Sequence, residues 1–375
     1  MQVLVSNVLL VAGGAALVAA ALRRHRLGAI VGIGCVSAAA LVFAHAKVSV
    51  AVADATLGPT ELAHARRAYL ERTIARSLPR QRLSTRRLIL NHTGEAGSGW
   101  FRRAHLGLFV HYGPTSAFAT PTDRRWWHAL DQGRSDAAGR GFEPDPEAVT
   151  SWVRLAKQIG ASYITVTVKH HDGFGLWDSR LTGWDVGRQA DLLAPLAREC
   201  RRRHIRLFLY YSLLDRHEPT YALDKDAYLV FVEGQLRELL TQYGPVAGVW
   251  FDGWNRDFGV GRLERLYALV HTLQPWALVA TNHHRRPLPH EDFRIFENRF
   301  PRNRVEPTGV PREVAVKLGA TWFWGGAKAP TQIDRLPALL RRAERARANL
   351  LADVPPRPDG TFPPSVLAAA RRRAG

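Results

Sequence analysis

Two carboxylates stand at the ends of short apolar runs, where a charged side chain serves no purpose for solubility. Asp252 ends the run Gly248–Asp252, and Gly253 behind it gives the backbone freedom for a sharp turn. Glu297 ends a second run in the same way. We expect both side chains to point into a pocket and to be available for acid, base or nucleophilic chemistry. The alternative for Asp252 is an N-cap of the following helix.

Histidines follow two other apolar runs, and histidine pairs are also common zinc ligands. His170 and His171 come after the run that ends at Lys169, and His111 follows a separate run. A zinc site needs further ligands in matched geometry, and neighbouring residues on a strand point to opposite faces. Imidazole groups also hydrogen-bond hydroxyls, so a site for a polyhydroxylated ligand is favoured over a metal site. No metal and no organic cofactor is expected.

From Trp100 onward, short apolar runs alternate with amphipathic stretches, which predicts parallel strands covered by helices. The expected strands are Leu106–His111, Tyr163–Lys169, Leu207–Ser212, Gly248–Asp252, Leu278–Thr281, Arg294–Glu297, Thr321–Trp324 and Asn349–Ala352. The expected helices between them include Pro146–Ile159, Asp191–His204, Lys225–Tyr243, Arg262–Leu273 and Arg335–Ala348. Eight such strands predict a (β/α)8 TIM-like barrel, whose active site collects at the carboxyl ends of the strands. Those ends carry histidine, tyrosine, asparagine and carboxylate side chains, a set suited to a sugar.

Several ordered motifs within this region resemble those of a known enzyme family. They are Trp100–Arg102 (WFR), Gly107–Gly113 (GLFVHYG), Lys169–Phe174 (KHHDGF), Leu176–Ser179 (LWDS), Tyr210–Ser212 (YYS), Tyr243–Val246 (YGPV) and Trp250–Gly253 (WFDG). On these motifs the chain resembles glycoside hydrolase family 29, the α-L-fucosidases, from Trp100 to about Gly360. KHHDGF is the most specific, because it is six residues long, chemically unusual and placed where a strand should end.

The resemblance implies a retaining glycosidase that releases terminal α-L-fucose from a fucosylated glycan or glycoside. It assigns Asp252 as the nucleophile that forms a glycosyl ester. It also assigns five side chains to the binding of fucose, by hydrogen bonds to hydroxyls and by stacking on the apolar sugar face. These substrate-binding residues are His111, His170, His171, Tyr211 and Trp250.

The acid/base residue stays open between two glutamates. Glu297 resembles the position used by one branch of the family. Glu313 stands before Gly319 much as a Trp-Glu motif of the family precedes its glycine, although the tryptophan is Arg312 here. Glu297 is favoured. Retention requires its carboxyl group to lie roughly 5–5.5 Å from that of Asp252.

Two departures from the family motifs motivate alternative functions. Arg125 stands where an acidic residue is expected beside Trp126, and Arg312 replaces a tryptophan. A non-catalytic cell-surface carbohydrate-binding protein on the same barrel is therefore one alternative. A glycosidase of other sugar specificity is another, since a fold does not fix a function.

Composition limits the partners of the chain. Its 375 residues are 46% hydrophobic, which excludes a disordered protein, and Cys35 and Cys200 alone provide no disulfide framework. The net charge of +19 would attract anionic surfaces. No nucleic-acid-binding signature is present, so no nucleic-acid partner is expected.

The N-terminal 50 residues predict a transmembrane helical hairpin. Val3–Leu22 and Leu27–Ala46 are apolar runs, each about twenty residues long, separated by the basic cluster at residues 23–26. Because basic loops stay cytoplasmic, the hairpin predicts a cell-membrane protein with an extracytoplasmic catalytic domain. A cleaved signal peptide is the alternative, but the first run lacks a basic leading segment. Residues 51–99 are expected to form a basic stem or linker, and residues 100–375 the catalytic barrel.

Overall fold

The computed structural model describes residues 58–78, 95–117, 139–283, 288, 290–302, 309–326 and 331–374. Leu57–Gly375 form one compact unit. The predicted hairpin of residues 1–50 and the departure at Arg125 both lie outside the described residues. No helix among the described residues has the length and the apolar character needed to cross a bilayer.

Eight parallel strands form a nearly closed barrel, as the alternating pattern predicts. In chain order they are β1 Leu106–Val110, β2 Tyr163–Lys169, β3 Arg206–Ser212, β4 Gly248–Asp252, β5 Leu278–Thr281, β6 Arg294–Glu297, β7 Arg312–Lys317 and β8 Asn349–Asp353. Each strand pairs with its neighbours in the order β5-β4-β3-β2-β1-β8-β7-β6. Within the described residues no backbone ladder joins β5 to β6, so a seam lies between these two strands.

The seventh strand differs from the prediction. The aromatic pattern of Thr321–Trp324 predicts a strand there, but the structure places β7 at Arg312–Lys317 and a bend at residues 321–323. Arg312 and Glu313 at the start of this buried strand weaken its apolar signal, because charged side chains are almost never fully buried without partners. The aromatic side chains of Thr321–Trp324 supplied the false signal.

Helices cover the outside of the barrel. In chain order they are α1 Pro59–Ser77, α2 Glu95–Arg102, α3 Val149–Gln158, α4 Leu193–Arg202, α5 Thr220–Leu223, α6 Lys225–Gln242, α7 Val260–Leu273, α8 Leu336–Arg345 and α9 Pro364–Ala374. Their buried faces repeat at helical spacing, as in α3, where Trp152 and Leu155 are fully buried. Asp224 caps α6 by accepting from the backbone N–H groups of Asp226 and Ala227.

Large aromatic side chains fill the barrel interior. They form a cluster distinct from the core between strands and helices, and its members include Phe101, Phe109, Tyr163, Phe208, Tyr210, Trp250 and Phe293. Such side chains leave no channel through the barrel. The interior therefore closes the site from below and leaves it open at the carboxyl ends of the strands.

Helix α1, which belongs to the predicted basic stem, packs on α5 and α6. Its Arg66 is buried and donates through Nη2 to Glu218 Oε2 at 2.6 Å and to the Leu181 carbonyl at 2.9 Å. Leu181 lies in the loop after β2, and Glu218 in the loop after β3. One side chain of α1 therefore ties together the two loops that leave the barrel beside the site.

Candidate active site

A cavity of about 380 Å³ opens at the carboxyl ends of the strands. This size and position are those of a small-molecule site in a barrel of this kind. Its lining combines imidazole, indole, amide and carboxylate groups. The lining residues are Phe109, His111, His170, His171, Tyr210, Leu214, Trp250, Asp252, Gly253, Trp254, Asn255, Asn282, His283, Glu297 and Trp322.

Asp252 ends β4 with its carboxylate held from two sides. Tyr210 donates its hydroxyl to Oδ2 at 2.6 Å, and Asn282 donates its amide to Oδ1 at 3.2 Å. His171 Nε2 lies 3.8 Å from Oδ2. Gly253 has a φ of 67°, and a Cβ there would come within 2.7 Å of Leu214 Cβ, so the turn that aims Asp252 requires glycine.

Asn282 joins the two carboxylates of the cavity. Its Nδ2 lies 3.2 Å from Asp252 Oδ1 and 2.7 Å from Glu297 Oε2. Because one nitrogen contacts both oxygens, they are separated by no more than the sum of these distances, about 6 Å. That limit is consistent with the roughly 5–5.5 Å between the carboxyl groups of retaining glycosidases, and it lies below the roughly 6.5–9.5 Å of inverting ones.

Glu313 occupies a different environment from Glu297. It lies inside the barrel, 1% exposed, and does not line the cavity. Its Oε2 accepts from the Tyr163 hydroxyl at 2.6 Å, and its Oε1 accepts from Trp250 Nε1 at 2.8 Å. Burial raises the pKa of Glu313 to about 7. The neighbouring Arg312 is also buried and donates to the Ala346 carbonyl at the amino end of β7, away from the cavity.

Some residues of the KHHDGF motif hold the neighbouring loop in place, and others line the cavity. Lys169 is fully buried and donates to Asp215 Oδ2 at 2.6 Å, so it holds the loop that follows β3. Gly173, at a φ of 76°, passes so close to Asp215 that a Cβ would lie 2.3 Å from its carboxylate. His170 and His171 both line the cavity, because they follow the last residue of β2 and escape the alternation of a strand.

His111 and His170 lie side by side in the cavity wall, 5.7 Å apart between ring centres. His111 Nδ1 is 2.8 Å from Asp353 Oδ1. Burial, followed by the proximity of His171, lowers the pKa of both His111 and His170 well below the usual value. Near neutral pH both rings are therefore uncharged, with one nitrogen donating and the other accepting, which suits sugar hydroxyls.

Tyr210, and not Tyr211, is the tyrosine that β3 presents to the cavity. Tyr211 was expected to bind substrate, but it faces the helices, where its hydroxyl donates to Gln235 at 2.6 Å. Adjacent strand residues point to opposite faces, so an error of one position moves the side chain out of the site. Trp250 does line the cavity, where it stacks on Tyr210 at 5.3 Å.

No group of three or more metal-ligating side chains with suitable geometry occurs in the part of the chain that the structure describes. Among the cavity histidines, His111 contacts Asp353, His171 contacts Ser212 and His170 stacks on Tyr210. His283 lies 3.6 Å from Glu291.

A family model described as alpha-L-fucosidase matches residues 91–372. The chain belongs to the α-L-fucosidase family, glycoside hydrolase family 29. Among the family's proteins it is 32% identical over 295 residues to the putative alpha-L-fucosidase 1 of Oryza sativa subsp. japonica, covering 68% of this chain and 53% of that protein. It is 32% identical over 186 residues to the tissue alpha-L-fucosidase of Homo sapiens, covering 41% of this chain and 39% of that protein.

Solved fucosidases share the fold. Alpha-L-fucosidase isoenzyme 1 from Paenibacillus thiaminolyticus superposes with a TM-score of 0.65 at 24% identity, covering 75% of each chain. A trapped covalent intermediate of a family 29 alpha-L-fucosidase from Bacteroides thetaiotaomicron gives a TM-score of 0.65 at 21% identity, covering 75% of this chain and 74% of that one. The chain spans about half the length of the plant fucosidases that it matches.

Three residues of this fucosidase-family site are not among the residues predicted from the sequence. In the YYS motif the prediction named Tyr211, whereas Tyr210 lines the cavity. Asn282 directly follows β5, so its position at a strand end was visible, but nothing in the sequence alone indicated that its amide bridges two carboxylates. Trp322 lines the cavity from the turn after β7, with its ring 4.9 Å from that of His111.

Proposed function

We propose that this protein is a retaining glycoside hydrolase that releases terminal α-L-fucose, with Asp252 as nucleophile and Glu297 as acid/base. One observation carries the proposal. The two carboxylates share the amide of Asn282 within a cavity of about 380 Å³, at a separation suited to a covalent glycosyl-enzyme.

In the first step, a carboxylate oxygen of Asp252 attacks the anomeric carbon while Glu297 gives its proton to the departing glycosidic oxygen. The C–O bond to the leaving group breaks as the bond to Asp252 forms, through an oxocarbenium-like transition state. In the second step Glu297 takes a proton from water, and the resulting oxygen nucleophile releases fucose from Asp252. Tyr210 and Asn282 hold the nucleophile in one orientation throughout.

Glu297 is the better acid/base candidate of the two glutamates because it reaches the cavity from the end of β6 and is partly exposed. Glu313 is enclosed by Tyr163 and Trp250, which occupy both of its oxygens. A proton donor must come within hydrogen-bonding distance of the leaving oxygen, and the interior position of Glu313 gives no such access.

Fucose recognition is assigned to the side chains around the nucleophile. The uncharged rings of His111 and His170, together with His171, offer donors and acceptors to the hydroxyl groups. Trp250 and Trp322 present aromatic surface to the apolar face and methyl group of the sugar.

Hydrolysis of an aryl α-L-fucoside by the full-length protein tests this proposal. Asp252→Asn preserves the volume and the Tyr210 contact, so it should fold normally while losing nearly all turnover. A 2-fluoro-fucosyl fluoride, the reagent named for the Bacteroides thetaiotaomicron intermediate, should add one fluorofucosyl group to the wild type and none to Asp252→Asn. Wild-type turnover in Asp252→Asn, or labelling of another residue, would exclude this nucleophile.

Glu297→Gln distinguishes the acid/base. It should be slowest on fucosides with poor leaving groups and close to wild type on a dinitrophenyl fucoside, because activated leaving groups depart without a proton. A uniform loss on all substrates would argue against this role.

Two alternatives are separated by the same assays. Fucose binding in calorimetry, with no hydrolysis of any activated fucoside, would identify a carbohydrate-binding protein. Turnover of an aryl galactoside or glucoside in place of the fucoside would identify another sugar specificity.

We further propose that residues 1–50 anchor the protein in the cell membrane as a helical hairpin, with the barrel outside the cytoplasm. The proposal rests on the two apolar runs and on the basic turn between them. Alkaline carbonate extraction should leave the full chain in the membrane fraction, and protease added to intact cells should digest the barrel. Release by carbonate would exclude the anchor.

A further inference from the structure

The end of the barrel opposite the cavity is basic. Six turns lead from a helix into a strand at this end, at residues 103–105, 159–162, 203–205, 243–247, 274–277 and 346–348, and none contains Asp or Glu. Exposed cations surround these turns. They are Arg102, Arg103, Lys157, Arg201, Arg202, Arg206, Arg345 and Arg347.

Acidic groups are few at this end and concentrated at the other. Glu199 is largely buried and pairs with Arg202 and Arg203, while Glu344 is exposed among the arginines. Asp252 and Glu297, by contrast, open into the cavity at the carboxyl ends. Among the described residues, the face turned away from the catalytic cavity therefore carries a net positive charge.

Neutralisation of helix dipoles explains part of this pattern. Lys157, Arg202 and Arg345 lie in last turns of helices, where cations stabilise the helix ends. Helix dipoles do not explain why the apolar residue Trp276 is 52% exposed on the same face. Its Nε1–H donates to the Val246 carbonyl at 3.1 Å, so the polar edge is satisfied and the apolar rings face solvent.

Two clefts on this face combine arginine with other binding groups. One, of about 360 Å³, has walls of Trp100 and Trp276 with Arg201 and Arg206 beside them, and the Arg206 guanidinium lies 4.5 Å from the Trp100 ring. The other, of about 250 Å³, is lined in part by Arg102, His105, Arg312, Glu344 and Arg347. Guanidinium groups bind phosphate with two parallel hydrogen bonds, and exposed tryptophan favours the boundary between headgroups and acyl chains.

We propose that this basic face docks on a bilayer of anionic phospholipid. The arginines contact headgroup phosphates, Trp276 enters the headgroup boundary, and the catalytic cavity faces away from the membrane. Docking through this face requires the barrel alone and depends neither on the anchor in residues 1–50 nor on fucosidase activity. Each arginine near an anionic surface contributes about fivefold to the ratio of docked to undocked protein at low salt.

Hydrogen exchange of the full-length protein in vesicles tests the orientation. Two vesicle types are compared, phosphatidylcholine alone and phosphatidylcholine mixed with phosphatidylserine. The mixed vesicles should slow exchange in residues 200–206 and 274–278 but not in residues 213–219 beside the cavity. Salt near 1 M, where the screening length is about 3 Å, should abolish the difference.

Variants with matched controls assign the effect to this face. Arg201→Glu combined with Arg206→Glu should remove at least about fivefold of the protection. Trp276→Ala should also lower it, because the aromatic contact with the headgroup boundary is lost. Leu223→Ala and Arg188→Glu, which change an exposed apolar residue and an exposed arginine outside this face, should leave it unchanged. The urea midpoint, followed by tryptophan fluorescence, reports whether each variant remains folded.

Equal exchange in both vesicle types would overturn the proposal, and so would protection that survives the charge reversal. Equal protection by a soluble polyanion such as heparin would also overturn it and would assign the face to a polyanion. The anchor is separable, because an anchored protein stays with phosphatidylcholine vesicles at any salt whereas docking by the face alone needs phosphatidylserine.

Discussion

Replacing Glu313 by glutamine should make folding less sensitive to pH and leave catalysis intact. The amide keeps the side-chain volume, its oxygen still accepts from Trp250 Nε1, and its nitrogen can donate to the Tyr163 hydroxyl oxygen. The variant removes a charge that wild-type protein must bury above neutral pH. It therefore tests whether Glu313 is a structural acid inside the barrel or the acid/base of the reaction.

The magnitude follows from the pKa of Glu313, which burial raises from 4.5 to about 7. Because the folded state holds this proton more tightly than the unfolded chain, the contribution to stability is complete below about pH 4 and is lost as the pH rises through 7. At 1.36 kcal/mol per pKa unit, the difference in free energy of unfolding between wild type and Glu313→Gln should fall by about 3 kcal/mol between about pH 4 and about pH 8.

Urea unfolding of both proteins in detergent, followed by tryptophan fluorescence across this pH range, measures the difference. Taking the difference cancels the contributions of Asp172 and Glu238, whose pKa values burial raises to about 6 and about 7. Turnover of aryl fucosides by Glu313→Gln should stay within about threefold of wild type for good and poor leaving groups alike. A stability difference that does not change with pH would refute the buried-charge reasoning, and a loss confined to poor leaving groups would make Glu313 the acid/base.

Three further substitutions follow from the contacts described above. Tyr210→Phe removes the 2.6 Å hydrogen bond to Asp252, so kcat on an aryl fucoside should fall by roughly ten- to a hundredfold with the urea midpoint nearly unchanged. Asn282→Ala breaks the link between the carboxylates and should lower kcat by a similar factor, whereas an unchanged kcat would show that the bridge has no catalytic role. Arg66→Ala leaves Glu218 buried without its cation and should lower the free energy of unfolding in urea by about 3–5 kcal/mol. Arg66→Met combined with Glu218→Gln should recover most of that loss. Failure to recover it would indicate a packing effect.

The barrel and most of its strand ends could be predicted from the sequence because each strand is a short apolar run followed by a polar residue. Gly248–Asp252 and Arg294–Glu297 have the predicted bounds, and both place a carboxylate at the cavity. β7 could not be predicted in this way. Its Glu313 is tolerated only because Tyr163 and Trp250, from other strands, satisfy it, and partners so distant in sequence leave no local signal.

Which side chains face the cavity was harder to predict than where the strands end. YYS identified the correct strand end, but the choice between Tyr210 and Tyr211 depends on which face of β3 turns inward, and both residues are aromatic and fully buried. Asn282 gains its role only from the meeting of β4, β5 and β6. The motifs therefore predict which strand ends form the site. The groups that bond to the carboxylates are visible only in the three-dimensional structure.

The seam between β5 and β6 divides the site into a stiff half and a compliant half. Asp252 stands on β4, which has backbone ladders to β3 on one side and to β5 on the other. Glu297 stands on β6, which has a ladder to β7 alone among the described residues. On the other side it contacts Asn282 just beyond β5, and Asp292 just before β6 bonds to Val279 of β5. Displacing Asp252 would disrupt two ladders, whereas displacing Glu297 would disrupt one ladder and the side-chain contacts with Asn282. Because the Glu297 side of the cavity is held by fewer backbone ladders, we expect it to tolerate more sequence change than the Asp252 side.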